Sequence, residues 1–566
     1  MSFRLALVLL TSLAGLLAES GDALIDAARA DDSATVAALV RQGADVNARA
    51  EDGTTALAWA ASHTNGVIAE LLLDKGANPD LTNELGISPL SLAINNGSTA
   101  MVKLLLGKGA NPNVARENGE TPLMTAARLG QVEVMRLLID RGGNVNAREK
   151  KFGQTALMWA AGYPAAVHLL VNHGADVVTA TTAWDVKYTI YAPTTATLGK
   201  TGIPWNTDGA YNSKKGGLNA LFFAVQKHNL ESARILLDAG LDVNQPAADG
   251  TTPLLAALYN WDPPDLTFVP GKGAPAQAGT SQRFHADLAM ARLLLDRGAK
   301  LGGADGAGYT ALHAAALAVA NAMLGPDLRR GGAYGGKAAL LTLGRVDKAA
   351  PASQVDEALS IASKLLAAGA DPNRQTRYPT AGPAGDVRIN PAPPGSSAFH
   401  IAASSRNLEL VKMMAQNGAN PNLFRKDGHT PFSVAVIAGD LPVVKEFAAH
   451  GAELTLSYNP TEKIPDPVDP ITLPRQKQTI MHLAVLGGSP AVIEYLYSQG
   501  VSLDGKNSAG ETPLDLADHQ ERYREAIERQ GAEGDPEKLK KVVRPTTISD
   551  TIRKLLAATT TQTSGR

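Results

Sequence analysis

Aromatic side chains gather in one stretch of this chain. The protein has 5 Trp and 12 Tyr in 566 residues, and five of them are Trp184, Tyr188, Tyr191, Trp205 and Tyr211. Trp and Tyr are the residue types that most often anchor a protein partner, and their ring faces can also stack on sugars. The stretch therefore predicts a binding site for a protein, a glycan or a small ligand. The alternative is a private core that folds this segment onto its neighbours.

Three further aromatics occupy matching positions in an internal repeat that is described below. Trp59 and Trp159 stand at the same position of two copies, and Phe223 is their counterpart in a third. Leu92 and Thr125 also occur in this column, so the position is not a strict core position. We predict partial exposure and contact with a partner here, with packing between neighbouring copies as the alternative.

Catalytic patterns are weak in this sequence. Gly331–Lys337 matches G-x-x-x-x-G-K, but Ala338 follows where a phosphate loop needs Ser or Thr to hold magnesium. His168 and His173 are five residues apart, which does not place both on one helical face for a metal. Cysteine is absent, which removes thiol nucleophiles, disulfides and cysteine metal sites. The sequence predicts a protein without catalytic activity, cofactor or metal.

Charge excludes one class of partner. Lys plus Arg is 53 and Asp plus Glu is 55, for a formal net charge of -2. Nucleic-acid binders need a concentrated basic surface, so we expect no nucleic-acid partner. Nothing in the pattern favours an oligomer, and a monomer is expected in the absence of the partner.

The first 20 residues resemble an export signal. Arg4 supplies a positive charge, the apolar stretch Leu5–Leu17 follows, and Ala18, Glu19 and Ser20 fit a small-x-small cleavage pattern. Thirteen residues at about 1.5 Å each cannot cross a hydrocarbon core of about 30 Å. We predict export to the periplasm, with secretion as the second choice, and no stable membrane insertion.

An internal repeat covers most of the rest of the chain. The glycine before each Thr-Ala/Pro-Leu recurs every 33 residues at Gly53, Gly86 and Gly119, and Gly153 follows after 34. Each copy reads as an Asp-Gly turn, a Thr-capped first helix, and a second helix that ends at glycine. We call the segment between that glycine and the next copy the finger. One unit of this size cannot bury its apolar side alone, so the units must stack.

These residues resemble the ankyrin repeat, with its Gly-x-Thr-Pro-Leu-His-x-Ala-Ala and Gly-Ala-Asp-Val-Asn signatures. Gly43–Asn47 carries the second signature, and the motif histidine is kept at His313, His400 and His482. We predict that these histidines hydrogen-bond between turns. The resemblance implies an all-α solenoid of about twelve stacked helix-turn-helix units with β-hairpin fingers and four insertion-bearing repeats. It also implies a concave groove that binds another protein.

The repeat phase predicts the organisation of the chain. Its parts are a signal peptide at 1–20, repeats one to five at 20–178, an aromatic finger insertion at 179–216, repeats six to twelve at 217–542, and a cap helix with a disordered tail at 543–566. Further insertions interrupt the repeats near 260–285, 324–354, 374–394 and 455–476. Repeat five also has a shortened body.

The leading hypothesis is a non-catalytic protein-binding scaffold of the bacterial envelope. The family resemblance implies support for a periplasmic redox enzyme. One alternative is glycan or small-ligand recognition by the aromatic finger, and another is a secreted effector directed at a host.

Overall fold

The structure, a computed structural model, describes the helices and turns of two compact units. It describes residues 20–189, 210–259, 287–305, 308–323, 352–376, 395–425, 428–455, 457–458, 478–507, 509–531 and 547–563. Unit 1 comprises Met1–Trp184 and Lys214–Ala248, and unit 2 comprises Asp185–Ser213 and Asp249–Arg566. The predicted signal segment, the tip of the aromatic finger and most of each other insertion lie outside the described residues.

Unit 1 is built from short helices that follow one another in pairs. They are 20–29 with Ser33–Arg41, Ala56–Ser62 with Gly66–Asp74, Pro89–Asn95 with Thr99–Gly107, Pro122–Arg128 with Val132–Asp140, Ala156–Trp159 (continued by a 3-10 helix, Ala160–Gly162) with Pro164–Asn172, and Ala220–Gln226 with Leu230–Asp238. The pairs recur in the predicted phase.

Unit 2 repeats the same arrangement with longer members. Its helices are Pro253–Tyr259, Leu288–Asp296, Ala311–Met323, Ala352–Ala367, Ala398–Ser405, Leu408–Gln416, Pro431–Ala438, Leu441–Ala449, Ile480–Gly487, Pro490–Ser498, Pro513–Gly531 and Thr547–Thr563. The helices that flank the predicted insertion at 324–354 exceed the usual length, so part of that insertion is helical. No helix in the described ranges combines the length and the apolarity needed to cross a membrane.

Short polar side chains begin the first helices. Thr55 Oγ1 accepts a hydrogen bond from the backbone N–H of Ala58 at 3.2 Å, and Thr121 Oγ1 accepts one from Met124 at 3.3 Å. Pro122 then stands at the first helical position, where no N–H is needed. The predicted Thr-Pro start is confirmed.

Glycine ends each second helix because the chain turns there with a positive φ. Gly76 has φ +87°, and the N–H of Ala77 donates to Leu72 O at 2.9 Å across the turn. Small residues then let neighbouring first helices approach. Ala60 and Ala61 are fully buried on the helix that contacts Pro89–Asn95.

Asparagine side chains connect successive fingers. Asn47 Nδ2 donates to Gly76 O at 3.1 Å, and Asn47 Oδ1 accepts from the N–H of Asn78 at 2.7 Å. The same pair of bonds recurs at Asn113 and Asn146 in unit 1 and at Asn373 and Asn422 in unit 2. Each asparagine therefore ties its own repeat to the next one.

The motif histidines bond between turns, as predicted. His313 Nδ1 accepts from Thr310 Oγ1 at 2.8 Å, and its Nε2 donates to Ser396 O at 3.2 Å. His400 and His482 donate in the same way to carbonyls of the following turn, at 3.2 and 2.9 Å. Burial, the largest cause, lowers the pKa of His313 to about 4, so the ring is neutral near pH 7.

Two of the long fingers contain strands. The strands β1 (Trp184–Thr189) and β2 (Ala210–Lys215) form one two-stranded sheet in the finger of repeat five. In the finger of repeat ten, β3 (Ser457–Tyr458) pairs antiparallel with β4 (Gln478–Thr479), with Ser457 opposite Thr479.

Candidate partner-binding surface

Two tryptophans lie half-buried on first helices of unit 1. Trp59 is on Ala56–Ser62, and Trp159 ends Ala156–Trp159. Repeat five is the copy with the shortened body, and a 3-10 turn replaces the last turn of its first helix. We call their shared position the first-helix column. Leu92, in the same column, is also half-buried.

An arginine from the preceding repeat lies over each of these indole rings. Arg29 Cζ is 5.3 Å from the ring centroid of Trp59, and Arg128 Cζ is 5.9 Å from that of Trp159. Both arginine side chains stay about half exposed, at 50% and 49%. The two Arg–Trp pairs therefore present positive charge and aromatic surface together, a combination that is frequent in binding hot spots.

The polar edges of the two indoles differ. Trp159 Nε1 donates to Gln154 Oε1 at 2.6 Å, which fixes its ring. Trp59 stacks on His63 at 6.0 Å between ring centroids, and its Nε1 is buried with no acceptor among the described residues. The ring of Trp159 is thus held by a hydrogen bond that the ring of Trp59 lacks.

A buried carboxylate supports Arg128. Glu120 is 7% exposed and accepts from Thr125 Oγ1 at 2.9 Å. It pairs with Arg116 at 3.3 Å and with Arg128 at 3.8 Å. Because its negative charge is turned inward, the outward face at this point is cationic.

Trp184 lies against the finger of repeat four. Its ring centroid is 5.4 Å from that of Phe152 at an angle of 47°, and Lys151 Nζ is 4.8 Å from the Phe152 ring. Gly216, with φ +87°, faces the same indole, and a Cβ there would lie 2.8 Å from the ring and 2.1 Å from Thr182 O. Trp184 helps to hold the finger root and remains half exposed.

The tip of the repeat-four finger owes its shape to the single extra residue of that repeat. Glu149 is 7% exposed, and its carboxylate accepts from the N–H groups of Lys151 and Phe152 at 2.6 Å each and of Gln154 at 3.0 Å. This bonding turns the Glu149 charge into the finger and leaves the side chains of Lys150 and Lys151 exposed.

The other predicted contact residues have different positions. The predicted exposure of Phe223 is wrong, because its side chain is only 9% exposed on Ala220–Gln226 and packs between neighbouring helices instead. Tyr188 lies in β1 and Tyr211 in β2, but their side chains are outside the described part. Tyr191 and Trp205 fall outside the described residues altogether.

Sequence reasoning missed Arg128, Gln154 and Phe152 as partners of the predicted tryptophans. The available signal was the Lys-Lys-Phe-Gly sequence in the finger of repeat four, beside the change of spacing from 33 to 34. Sequence reasoning also missed an open cleft of about 540 Å³ between fingers, lined by Leu85, Ile87, Arg116, Glu117 and Asn118.

The polar groups of this surface form turns and ion pairs. Within the described ranges, no group of three or more acidic or histidine side chains is placed to hold a metal ion. The backbone N–H and then the hydroxyl of Thr54, both donating to Asp52, hold the pKa of that finger carboxyl below its usual value. Such bonds shape turns and keep the carboxylate charged.

Comparison with known proteins shows one family along most of the described repeats. Ankyrin-repeat family models match residues 24–116, 90–181, 352–458 and 466–517, which is more than half of the chain. Cyclin-dependent kinase 4 inhibitor B of Rattus norvegicus is 31% identical over 127 residues, which are 22% of this chain and 85% of that protein.

Longer proteins match over a similar number of residues. The transient receptor potential cation channel subfamily A member 1 homolog of Caenorhabditis elegans is 28% identical over 137 residues, 24% of this chain and 10% of that protein. Palmitoyltransferase ZDHHC13 of Homo sapiens is 29% identical over 150 residues, 22% of this chain and 23% of that protein. The chain therefore spans only a minor part of these two relatives.

Proposed function

The chain is a member of the ankyrin-repeat family, and from that membership we propose that it is a non-catalytic scaffold that binds another protein. The partner contacts the first-helix column of unit 1 and the root of the repeat-five finger. One relative, cyclin-dependent kinase 4 inhibitor B, is named for a protein target, which supports a protein as the partner.

The observation that carries the proposal is the recurrence of the Arg–Trp pair. Arg29 with Trp59 and Arg128 with Trp159 use equivalent positions of different repeats. Four large side chains of the types that dominate hot spots are thereby kept partly exposed on one kind of helix face. A partner that covers them removes aromatic surface and cation–π pairs from water together.

The proposal includes the finer architecture and the location of the protein. The repeat phase supports twelve units and hairpin fingers, and the first 20 residues support export to the periplasm, with secretion as the second choice. Support of a redox enzyme in the envelope belongs to the same proposal and rests on the family resemblance alone. The chain is expected to be a monomer before it binds.

Affinity purification of the tagged protein from the cells that make it tests the proposal. We expect one stoichiometric protein partner, lost in a Trp59→Ala/Trp159→Ala variant and kept in Phe424→Ala, which removes an exposed aromatic of unit 2. Recovery of a bound glycan or small molecule without a protein would contradict the proposal in favour of ligand recognition by the finger.

A further inference from the structure

The charge of the fingertips changes sign along unit 1. The tips of repeats one, two and three expose Glu51, Asp52, Glu84 and Glu117, whereas the tip of repeat four exposes Lys150 and Lys151. A surface with this pattern distinguishes partners by where they carry charge.

Backbone bonds join the tips of repeats one and two, and those of repeats three, four and five. The N–H of Glu84 donates to Asp52 O at 3.0 Å, and the N–H of Lys150 donates to Asn118 O at 2.8 Å. The repeat-four tip also contacts the root of the repeat-five finger, because the N–H of Thr182 donates to Phe152 O at 2.7 Å. The basic tip is therefore fixed relative to its neighbours by backbone bonds.

The two lysines of the repeat-four tip have no carboxylate partner in the described part of the chain. The nearest carboxylate in sequence, Glu149, is buried and bonded to three backbone N–H groups. Lys151 Nζ instead lies over the ring of Phe152 at 4.8 Å. Both ammonium groups remain available to an outside anion.

The basic tip continues into the Arg–Trp pair beneath it. Gln154 connects the two, because its N–H donates to Glu149 and its side chain accepts from Trp159. Arg128 lies over the other side of that indole. The result is one surface with three cations (Arg128, Lys150 and Lys151) and three aromatic rings (Phe152, Trp159 and Trp184), which we call the basic–aromatic surface.

We propose that the basic–aromatic surface binds a short acidic segment of the partner protein that carries an aromatic or large apolar residue. This rests on the proposed function and names the chemistry of its partner. Asp and Glu side chains of the segment pair with Lys150, Lys151 and Arg128, and its apolar residue packs on Phe152 and Trp184. Charge-assisted hydrogen bonds and ring contacts together give both register and affinity.

The pattern favours an acidic peptide over a nucleic acid. A polyanionic strand needs a continuous basic track along its backbone, but the tips are acidic at Glu117, Glu84 and Asp52. A segment whose negative charge is confined to a few residues contacts the lysines with less repulsion from those carboxylates. Adjacent repeats pack about 10 Å apart, so the surface spans only a few extended residues.

Fluorescence anisotropy with the full chain tests the proposal. The probe is a fluorescein-labelled peptide of about ten residues, in which one central phenylalanine has two glutamates on each side and the remaining residues are glycine and serine. We expect saturable binding that weakens with salt, falls at least about tenfold in Lys150→Glu/Lys151→Glu, and falls less in Phe152→Ala. Circular dichroism of each variant establishes that it is folded.

The matched control places the same charge change elsewhere. Lys75→Glu/Lys103→Glu reverses two exposed lysines of unit 1 that lie outside the fingers, and it should bind the peptide like the unchanged protein. Equal losses in the two double variants, or no peptide binding at all, would overturn the proposal. Tighter binding of a single-stranded oligonucleotide of equal charge would overturn it in favour of nucleic acid.

Two further outcomes separate this inference from the proposed function. A dimer seen by light scattering and dissolved by Lys150→Glu/Lys151→Glu would assign the lysines to a second copy of this chain. Capture of the native partner that survives this change but fails in Trp59→Ala/Trp159→Ala would reject the acidic segment and keep the scaffold.

Discussion

The first-helix column differs between the two units. In unit 1, Trp59, Leu92 and Trp159 are half-buried, whereas Thr125 and Phe223 are buried. In unit 2, Leu516 of the last repeat is half-buried, and five other members are at most 4% exposed, namely Ala256, Ala314, Ile401, Val434 and Leu483. The same repeat position is therefore buried in most copies, and the indoles of Trp59 and Trp159 keep part of their surface in water.

The two units also differ in how first helices are joined. Unit 2 places His313, His400 and His482 three residues after the cap, where each ring donates to the next turn. Unit 1 has Ala58, Ser91, Met124, Met158 and Phe222 at that position, all buried. Three first helices of unit 2 gain hydrogen bonds that depend on a neutral ring, whereas four of these five positions in unit 1 carry apolar side chains.

The largest difference in stability is expected when a side chain of the first-helix column is truncated to alanine in each unit. Ile401→Ala removes a buried side chain and should destabilise its repeat by about 3 kcal/mol. Trp159→Ala should cost less, about 2 kcal/mol, because part of the indole is already in water. Hydrogen exchange of peptides from each repeat measures both. A larger loss at Trp159 would show that the column is core in both units.

Acid should weaken unit 2 in particular. Burial lowers the pKa of His313 from 6.5 to about 4, so the unfolded state binds the proton first. The stabilising contribution is complete above pH 6.5, shrinks as the pH falls, and is gone near pH 4, a change on the order of 3 kcal/mol.

Amide exchange in Ala311–Met323 at pH 7 and pH 4.5, corrected for intrinsic rates, measures this loss. His313→Gln should flatten the pH dependence, whereas His63→Gln, at an exposed position of unit 1, should leave it unchanged. If His313→Gln lost as much protection in acid as the unchanged protein, the acid sensitivity would not come from the His313 ring.

The root of the repeat-five finger can be tested with two glycines of similar φ. Gly216 (φ +87°) faces Thr182 O and Trp184, whereas Gly174 (φ +80°) has open space around it. Gly174→Ala should cost about 1 kcal/mol from backbone strain alone. Gly216→Ala should cost roughly 2 kcal/mol or more, because the added Cβ would also clash with Thr182 O and with the Trp184 ring. Thermal unfolding of both variants gives the difference, and equal costs would mean that Thr182 O and Trp184 do not crowd this position.

Sequence reasoning recovered what local rules determine. The caps at Thr55 and Thr121, the turn at Gly76 and the bonding of His313 follow from a motif read within one or two repeats. Sequence reasoning did not identify the partners of the tryptophans, because Phe152 with Trp184 and Arg128 with Trp159 meet only after the repeats stack. The 3-10 turn after Trp159 shows how the predicted short body of repeat five is accommodated.

The smallest effect on stability is expected at the asparagine side chains that connect successive fingers, which occur in each unit. Asn113→Ala removes bonds to Gly142 O and the N–H of Asn144 and should cost about 1 kcal/mol. Asn95→Ala, at an exposed helix end, is the control. Denaturant unfolding followed by circular dichroism compares the free energies of unfolding of the two variants. An equal loss in Asn95→Ala would show that the bonds of Asn113 do not stabilise the repeats.

Site-specific photo-cross-linking tests the central claim, that unit 1 carries the partner surface. Benzoylphenylalanine replaces Leu92, in the half-buried column of unit 1, or Phe424, an exposed aromatic of unit 2. Irradiation in the cells that make the protein, followed by mass spectrometry, should give one protein adduct from position 92 and none from position 424. An adduct from position 424 alone would contradict the account.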